Sequence, residues 1–230
     1  MNVILLAALG IGGTTLIGTG CGFFFSRISE GWNRAATAFA AGVMLAAAMF
    51  GLFQPAMEMN TGALPVVAGA LGGMVFLRIA GKLAPGGLLS GRPELMFVLA
   101  LAMHKFPEGM AAGVGLGSEG GALVAVGVAL QNLPEGIVMI PPMLAAGMSR
   151  ARAGGIALLT GLLNALGVLA GAAWGGLPGA VFPAALAFAG GAMLDVIVRC
   201  MIPSIFDERT GGEWILAGGF LLMTAVNMIF

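Results

Sequence analysis

Long apolar runs, broken at short intervals by glycine, proline or charged turns, fill this chain from end to end. A membrane-spanning helix needs about 20 predominantly apolar residues. The punctuation marks off eight runs of that order, at residues 2–25, 34–57, 63–82, 93–117, 120–144, 151–173, 178–203 and 212–230. The pattern predicts an all-α membrane protein, with residues 1–230 forming one bundle of eight transmembrane helices. The connections at 83–92 and 204–212 are short and either Gly/Pro-rich or charged, too short for a soluble domain.

Two elements break the apolar pattern in the same way. H-K-F-P-E-G runs from His104 to Gly109 and Q-N-L-P-E-G from Gln131 to Gly136, near the centres of the fourth and fifth runs. A carboxylate is costly at that depth, and proline removes a backbone hydrogen bond, so a polar, kinked element that occurs twice marks a site. Residues four apart share a helix face, which puts His104 with Glu108 and Gln131 with Glu135. Consecutive spans run in opposite directions, so the hexads form a small inverted repeat, the arrangement from which many transporters build a midplane site. Pro107 and Pro134 free the carbonyls of Met103 and Leu130 to face a cation or a water-filled path. Glu108 and Glu135 facing each other would repel unless a cation neutralised them. An imidazole, two carboxylates and an amide oxygen suit zinc, and also iron(II) or manganese.

Composition agrees with the pattern: 59% of residues are hydrophobic and 9% charged, against about 25% charged in soluble domains. The formal net charge is zero, and no basic surface points to nucleic acid. The first run lacks a basic leader and reads as a retained span rather than a cleaved signal. Cys21 and Cys200 make no disulfide framework, and an inert thiol is the expectation for Cys200. The sixteen methionines are scattered, which reads as packing rather than a copper path. Nine of the ten basic residues flank the odd-numbered connections: Arg27, Arg34, Arg78, Lys82, Arg92, Arg150, Arg152, Arg199 and Arg209. The positive-inside rule assigns that side to the cytoplasm and puts both termini outside. The tenth, Lys105, lies within the membrane beside His104. Asp195 and Arg199, four apart, are expected to form a local ion pair. Glycines four apart at Gly109/Gly113/Gly117 and Gly167/Gly171/Gly175 predict close helix packing.

The two hexads, with the second run A-F-A-A-G-V-M-L-A-A-A-M-F, resemble the ZIP family of divalent-metal transporters over essentially the whole chain. The resemblance implies eight helices with both termini outside and transport towards the cytoplasm across a plasma or inner membrane, and it makes a homodimer plausible. It implies a metal site of His104, Glu108, Gln131 and Glu135, with Met44 of the second helix lining the approach. Many family members hold a second ion, and the positions of its further ligands here carry Lys105, Asn132 and Asn164. One neutral ligand has become a cation and two carboxylates have become amides. An ammonium beside the glutamates would repel a second metal, so a single-ion site is expected, with Lys105 standing in for the missing ion. The connection before the fourth helix lacks histidine, and R-C-M-I-P (Arg199 to Pro203) lacks the carboxylate common there, so auxiliary sites are expected to be absent or changed.

The expected cargo is a divalent ion, zinc foremost, with iron, manganese and cadmium as alternatives that ligand type separates only weakly. Two other readings fit the residues: a metal-binding or regulatory membrane protein that Lys105 has locked against transport, and a proton-coupled carrier of another cation. One His and two Glu can also hold a catalytic zinc. The chain nevertheless has no nucleophile–base pair or nucleotide motif, and a loop-poor bundle offers little to bind a bulky substrate.

Overall fold

The computed structural model describes residues 3–25, 30–59, 62–83, 93–117, 121–145, 147–174, 181–205 and 211–229. Among them every long element is helical. In chain order these are α1 (Val3–Phe25), α2 (30–58), α3 (Ala63–Leu83), α4 (Pro93–Gly115), α5 (Gly121–Ala145), α6 (Arg150–Trp174), α7 (181–205) and α8 (Gly212–Ile229). The all-α class holds, and the helix limits follow the apolar runs closely. The largest departure is at α2, which begins at Glu30 because its first turn, with Trp32, Asn33 and Arg34, is too polar to belong to an apolar run. By length and composition, Val3–Phe25, Gly31–Glu58, Arg150–Ala173 and Val181–Met201 can cross a membrane, and Ala63–Ile79 and Gly212–Met228 are shorter apolar helices. Ser149 starts α6 by accepting the Arg152 N–H on its Oγ at 3.3 Å, an ordinary helix cap.

The helices sort into two groups. In one, α4 packs on α6 and α5 on α1, with α1 also against α6; in the other, α3 packs on α7 and α2 on α8. Less extensive contacts, chiefly α4 with α7 and α5 with α2, join the groups. Exchanging α1 with α6, α2 with α7, α3 with α8 and α4 with α5 maps this set of partners onto itself. The inverted repeat of the two hexads therefore extends to the whole bundle. It has a sequence trace beyond the hexads, since Gly42-Val43-Met44-Leu45 on α2 matches Gly191-Ala192-Met193-Leu194 on α7, and both methionines are buried in the core.

Glycine sets the closest approaches. A Cβ on Gly42 would overlap the Leu216 carbonyl of α8, one on Gly191 the Ala70 carbonyl of α3, and one on Gly113 the Val168 carbonyl of α6. Gly109, Gly167 and Gly171 make the same kind of contact between α4 and α6, as the four-residue spacing predicted. Gly117 meets little, and Gly175 lies outside the described residues. Both α2 and α7 contain a π-helical stretch, Ala47–Phe53 and Ile197–Met201, closed by i→i−5 bonds from Gln54 N–H to the Met49 carbonyl and from Ile202 N–H to the Ile197 carbonyl. Pro55 and Pro203 follow one residue later and cannot donate to the carbonyls four residues back, which accounts for the widened turn in each.

Arg34, Arg78, Arg150, Arg152 and Arg199 all lie at one end of the bundle, near the end of α1 and the start of α2. Arg27, Arg92, Arg209 and the Lys82 side chain lie outside the described residues, as do the connections at 84–92 and 206–210.

The close approaches make a two-way prediction. Gly113→Ala is expected to lower the melting temperature in detergent, because overpacking costs about 1–3 kcal/mol. Gly10→Ala, with open space around its Cβ, is expected to raise it, since Ala is the better helix former by about 1 kcal/mol. Shifts of the same sign would refute the packing role.

Candidate metal centre

The four residues of the expected site come together between α4 and α5. His104 and Glu108 lie one turn apart on α4, Gln131 and Glu135 one turn apart on α5, and all four are buried. One ligand atom from each of His104, Glu108 and Glu135 lies within 4.8 Å of the other two. His104 Nε2 is 3.5 Å from Glu135 Oε2. Tetrahedral zinc with bonds of about 2.0–2.1 Å separates its ligand atoms by about 3.4 Å, so this pair already stands at ligand spacing. Glu135 Oε1 is fully buried and accepts no hydrogen bond, and a buried polar atom of that kind calls for a partner. Zinc, which takes imidazole nitrogen and carboxylate oxygen, would provide one.

Lys105 lies in the same cluster with no exposed surface. Its ammonium donates to Glu108 Oε2 at 3.0 Å, contacts Glu135 Oε2 and donates to Asn132 Oδ1. Three acceptors match its three N–H donors. Asn132 Nδ2 in turn donates to the Ile11 carbonyl of α1 at 3.0 Å, and Asn164 Nδ2 of α6 points to Glu108 Oε2 at 3.5 Å. The three altered positions thus form one network around the glutamates. Gln131 turns its Nε2 to Glu108 Oε1, because a facing carboxylate draws the amide N–H rather than the amide oxygen. Its oxygen ligation was the expectation, so metal capture there would require the amide to rotate. Both oxygens of Glu108 are engaged, which leaves Glu135 as the more open carboxylate.

A cavity of about 690 Å³ leads to this cluster from the end of the bundle opposite the arginines. Glu108 and Gln131 line it, while Glu58, Gln54 and Asn227 add polar groups along its wall. Glu58 accepts from Gln54 Nε2 at 2.7 Å. Sequence reading passed over Glu58 although a signal was there, a single carboxylate between two methionines where a helix ends. Met44 is buried on α2 in the apolar core that also contains Met110 of α4 and Met139 of α5. Asp195 pairs with Arg199 at 3.3 Å as expected, and also with Arg78 of α3 at 3.1 Å. That second partner joins α3 to α7 and has no trace in local spacing. Cys21 and Cys200 are free of disulfides.

Comparison with known proteins bears on the same region. Residues 87–229, which contain both hexads, match the family model described as ZIP Zinc transporter. The chain is 37% identical over 206 residues to the zinc transporter GufA of Myxococcus xanthus, covering 78% of this chain and 80% of that protein. It is 32% identical over 155 residues to zinc transporter ZIP11 of Bos taurus, covering 63% of this chain and 45% of that protein, so it spans just under half of that relative's length. With human ZIP11 the identity is 30% over 159 residues, 64% of this chain and 46% of the other. The match over 87–229 and the likeness to GufA along most of both chains make this multi-pass membrane protein a member of the ZIP zinc transporter family.

Proposed function

We propose that this protein carries a divalent transition metal ion, zinc foremost, across the membrane towards the cytoplasm through one intramembrane site on α4 and α5. The observation that carries the reading is the convergence of His104, Glu108 and Glu135 at near-ligand spacing around a buried carboxylate oxygen that accepts no hydrogen bond. His104 supplies the nitrogen ligand, Glu108 and Glu135 the charged oxygens, and Gln131 a neutral oxygen once its amide turns. Met44 of α2, expected along the approach, is buried in the apolar core and does not line the outward cavity. That GufA and ZIP11 bear the name of zinc transporters favours zinc over iron, manganese or cadmium.

All eight helices act as spans of one transmembrane domain, residues 1–230, with both termini outside. The arginines gathered at one end support that orientation, and the cavity then opens outward, with Glu108 and Gln131 as the first site residues an incoming ion meets. Residence in the plasma or inner membrane and assembly as a homodimer complete the reading. No bond in the cargo is made or broken; the side chains replace the ion's hydration shell and release it on the far side. The protein therefore acts as a carrier and not as an enzyme.

Lys105 fixes the number of ions. Two carboxylates and one ammonium give the cluster a charge of −1, so one divalent ion takes it to +1 and a second would take it to +3. Asn132 and Asn164 bring no further negative charge to hold a second ion.

Zinc uptake into proteoliposomes is the first test. Saturable uptake is expected for the native chain and a loss of at least about 100-fold for Glu108→Gln/Glu135→Gln. Zinc binding without flux in the native chain would make it instead a metal-binding membrane protein that does not transport, the reading that the fully engaged Lys105 favours. Calorimetric titration of purified protein is expected to give one tight zinc site per chain; two would remove Lys105 from its role as substitute ion. Lys105→Met is expected to destabilise the metal-free protein by about 3–5 kcal/mol, since it leaves buried carboxylates without their cation. Zinc should then raise its melting temperature more than that of the native chain, and an equal or smaller rise would count against the assignment.

A further inference from the structure

The cavity of about 690 Å³ that reaches Glu108 has a second carboxylate in its wall, one that the metal centre does not use. Glu58 lies in the last turn of α2, exposed at the end of the bundle opposite the arginines. Gln54, one turn earlier, donates its Nε2 to Glu58 Oε1 at 2.7 Å. Gln54 is its one hydrogen-bond partner among the described residues, so Oε2 stays open to the cavity. Asn227 of α8 lines the same wall and donates its Nδ2 to the Met223 carbonyl at 2.9 Å, which leaves its amide oxygen for the cavity. Glu58 and Glu108 are the charged residues of the lining, and no basic residue joins them. The π-helical stretch Ala47–Phe53 aims Gln54 and Glu58 at this space. It adds a residue to the turn, and one residue of helix is about 100° of rotation, so an α2 without it would point both side chains away.

We propose that Glu58 is the capture residue of the transport path, gathering divalent cations at the mouth of the cavity before Glu108 takes one. The proposal rests on the reading that this cavity admits the incoming ion. A carboxylate in water raises the concentration of a divalent ion beside it about fivefold at about 0.15 M salt, and about tenfold at about 0.01 M, where screening reaches less far. The oxygens of Glu58, Gln54 and Asn227 are hard donors with no nitrogen or sulfur among them, a set that also suits calcium and magnesium. Glu58 therefore concentrates divalent ions without choosing among them. The choice falls to the metal centre, where His104 adds its nitrogen.

The test is initial zinc uptake into phosphatidylcholine vesicles, whose neutral surface adds no charge of its own. Glu58→Gln is expected to raise KM about fivefold at about 0.15 M salt and about tenfold at about 0.01 M, with the maximal rate unchanged. Glu58→Asp should stay near the native value. Magnesium in millimolar excess should raise the KM of the native chain and leave that of Glu58→Gln unmoved. An unchanged KM, a ratio that ignores salt, or a fall in maximal rate alone would overturn the proposal. A native chain that carries no zinc would remove the transport reading, and the mouth is then judged by nuclear magnetic resonance. Met59 and Met228 line the same cavity, and paramagnetic manganese(II) broadens methyl signals close to it. Broadening of both at about fivefold lower manganese in the native chain than in Glu58→Gln would support capture at the mouth. Identical titrations of the two chains would overturn it.

Discussion

Two carboxylates, an ammonium and an imidazole share a volume between α4 and α5 that has almost no contact with solvent. Each ion removed from water costs several kcal/mol unless close partners offset it, so the bundle around them must hold every partner in place at once. Lys105 meets Glu108, Glu135 and Asn132; Asn132 is held by the Ile11 carbonyl of α1; Glu108 receives Gln131 from α5 and Asn164 from α6. Four helices of one group thus meet at a single electrostatic knot. That group packs as tightly as it does because glycines on α4, α5 and α6 let backbones close to contact, which keeps the polar atoms within reach of one another.

The other group is organised differently. Its helices α2, α3, α7 and α8 bury mainly alanine, methionine and leucine, and Asp195 pairs there with Arg78 and Arg199 at the arginine-bearing end. The π-helical stretches of α2 and α7 fall in this group, each towards the end of its helix. Bulges of this kind occur often beside functional sites, and here Gly51 and Leu52 of the first line the cavity that reaches Glu108. The chemistry is therefore concentrated in one helix group, while the other supplies an apolar wall and a way in.

The eight helices and the paired hexads could be read from the chain alone because both are local signals. Apolar runs broken by glycine and proline mark helices, and a carboxylate inside such a run stands out. The spacing of Gly109, Gly113, Gly167 and Gly171 likewise foretold close packing, though not that α4 and α6 would be the partners. What escaped sequence reading was set by partners far along the chain. Arg78 lies 117 residues from Asp195, and nothing near either residue names the other. The rotation of Gln131 depends on which atom of Glu108 faces it, and the importance of Glu58 depends on a cavity formed by five helices. The match of Gly42–Leu45 with Gly191–Leu194 was present in the sequence, but four residues carry weight only once α2 and α7 are seen to exchange places in the packing.

Lys105, Asn132 and Asn164 form one electrostatic solution rather than three separate departures. With carboxylates at 132 and 164 the cluster would carry −3 beside a single ammonium, a charge that only bound metal could neutralise. Amides at those positions leave −1, and each amide still has work in the metal-free protein: Asn132 accepts from Lys105 while donating to Ile11, and Asn164 donates towards Glu108. An asparagine can do both because it has a donor and an acceptor on one side chain, whereas an ionised aspartate can only accept. An aspartate at 132 would therefore leave the Ile11 carbonyl without this donor as well as adding buried charge. The fixed ammonium and the two amides belong together, and together they suit a site that holds one ion at a time.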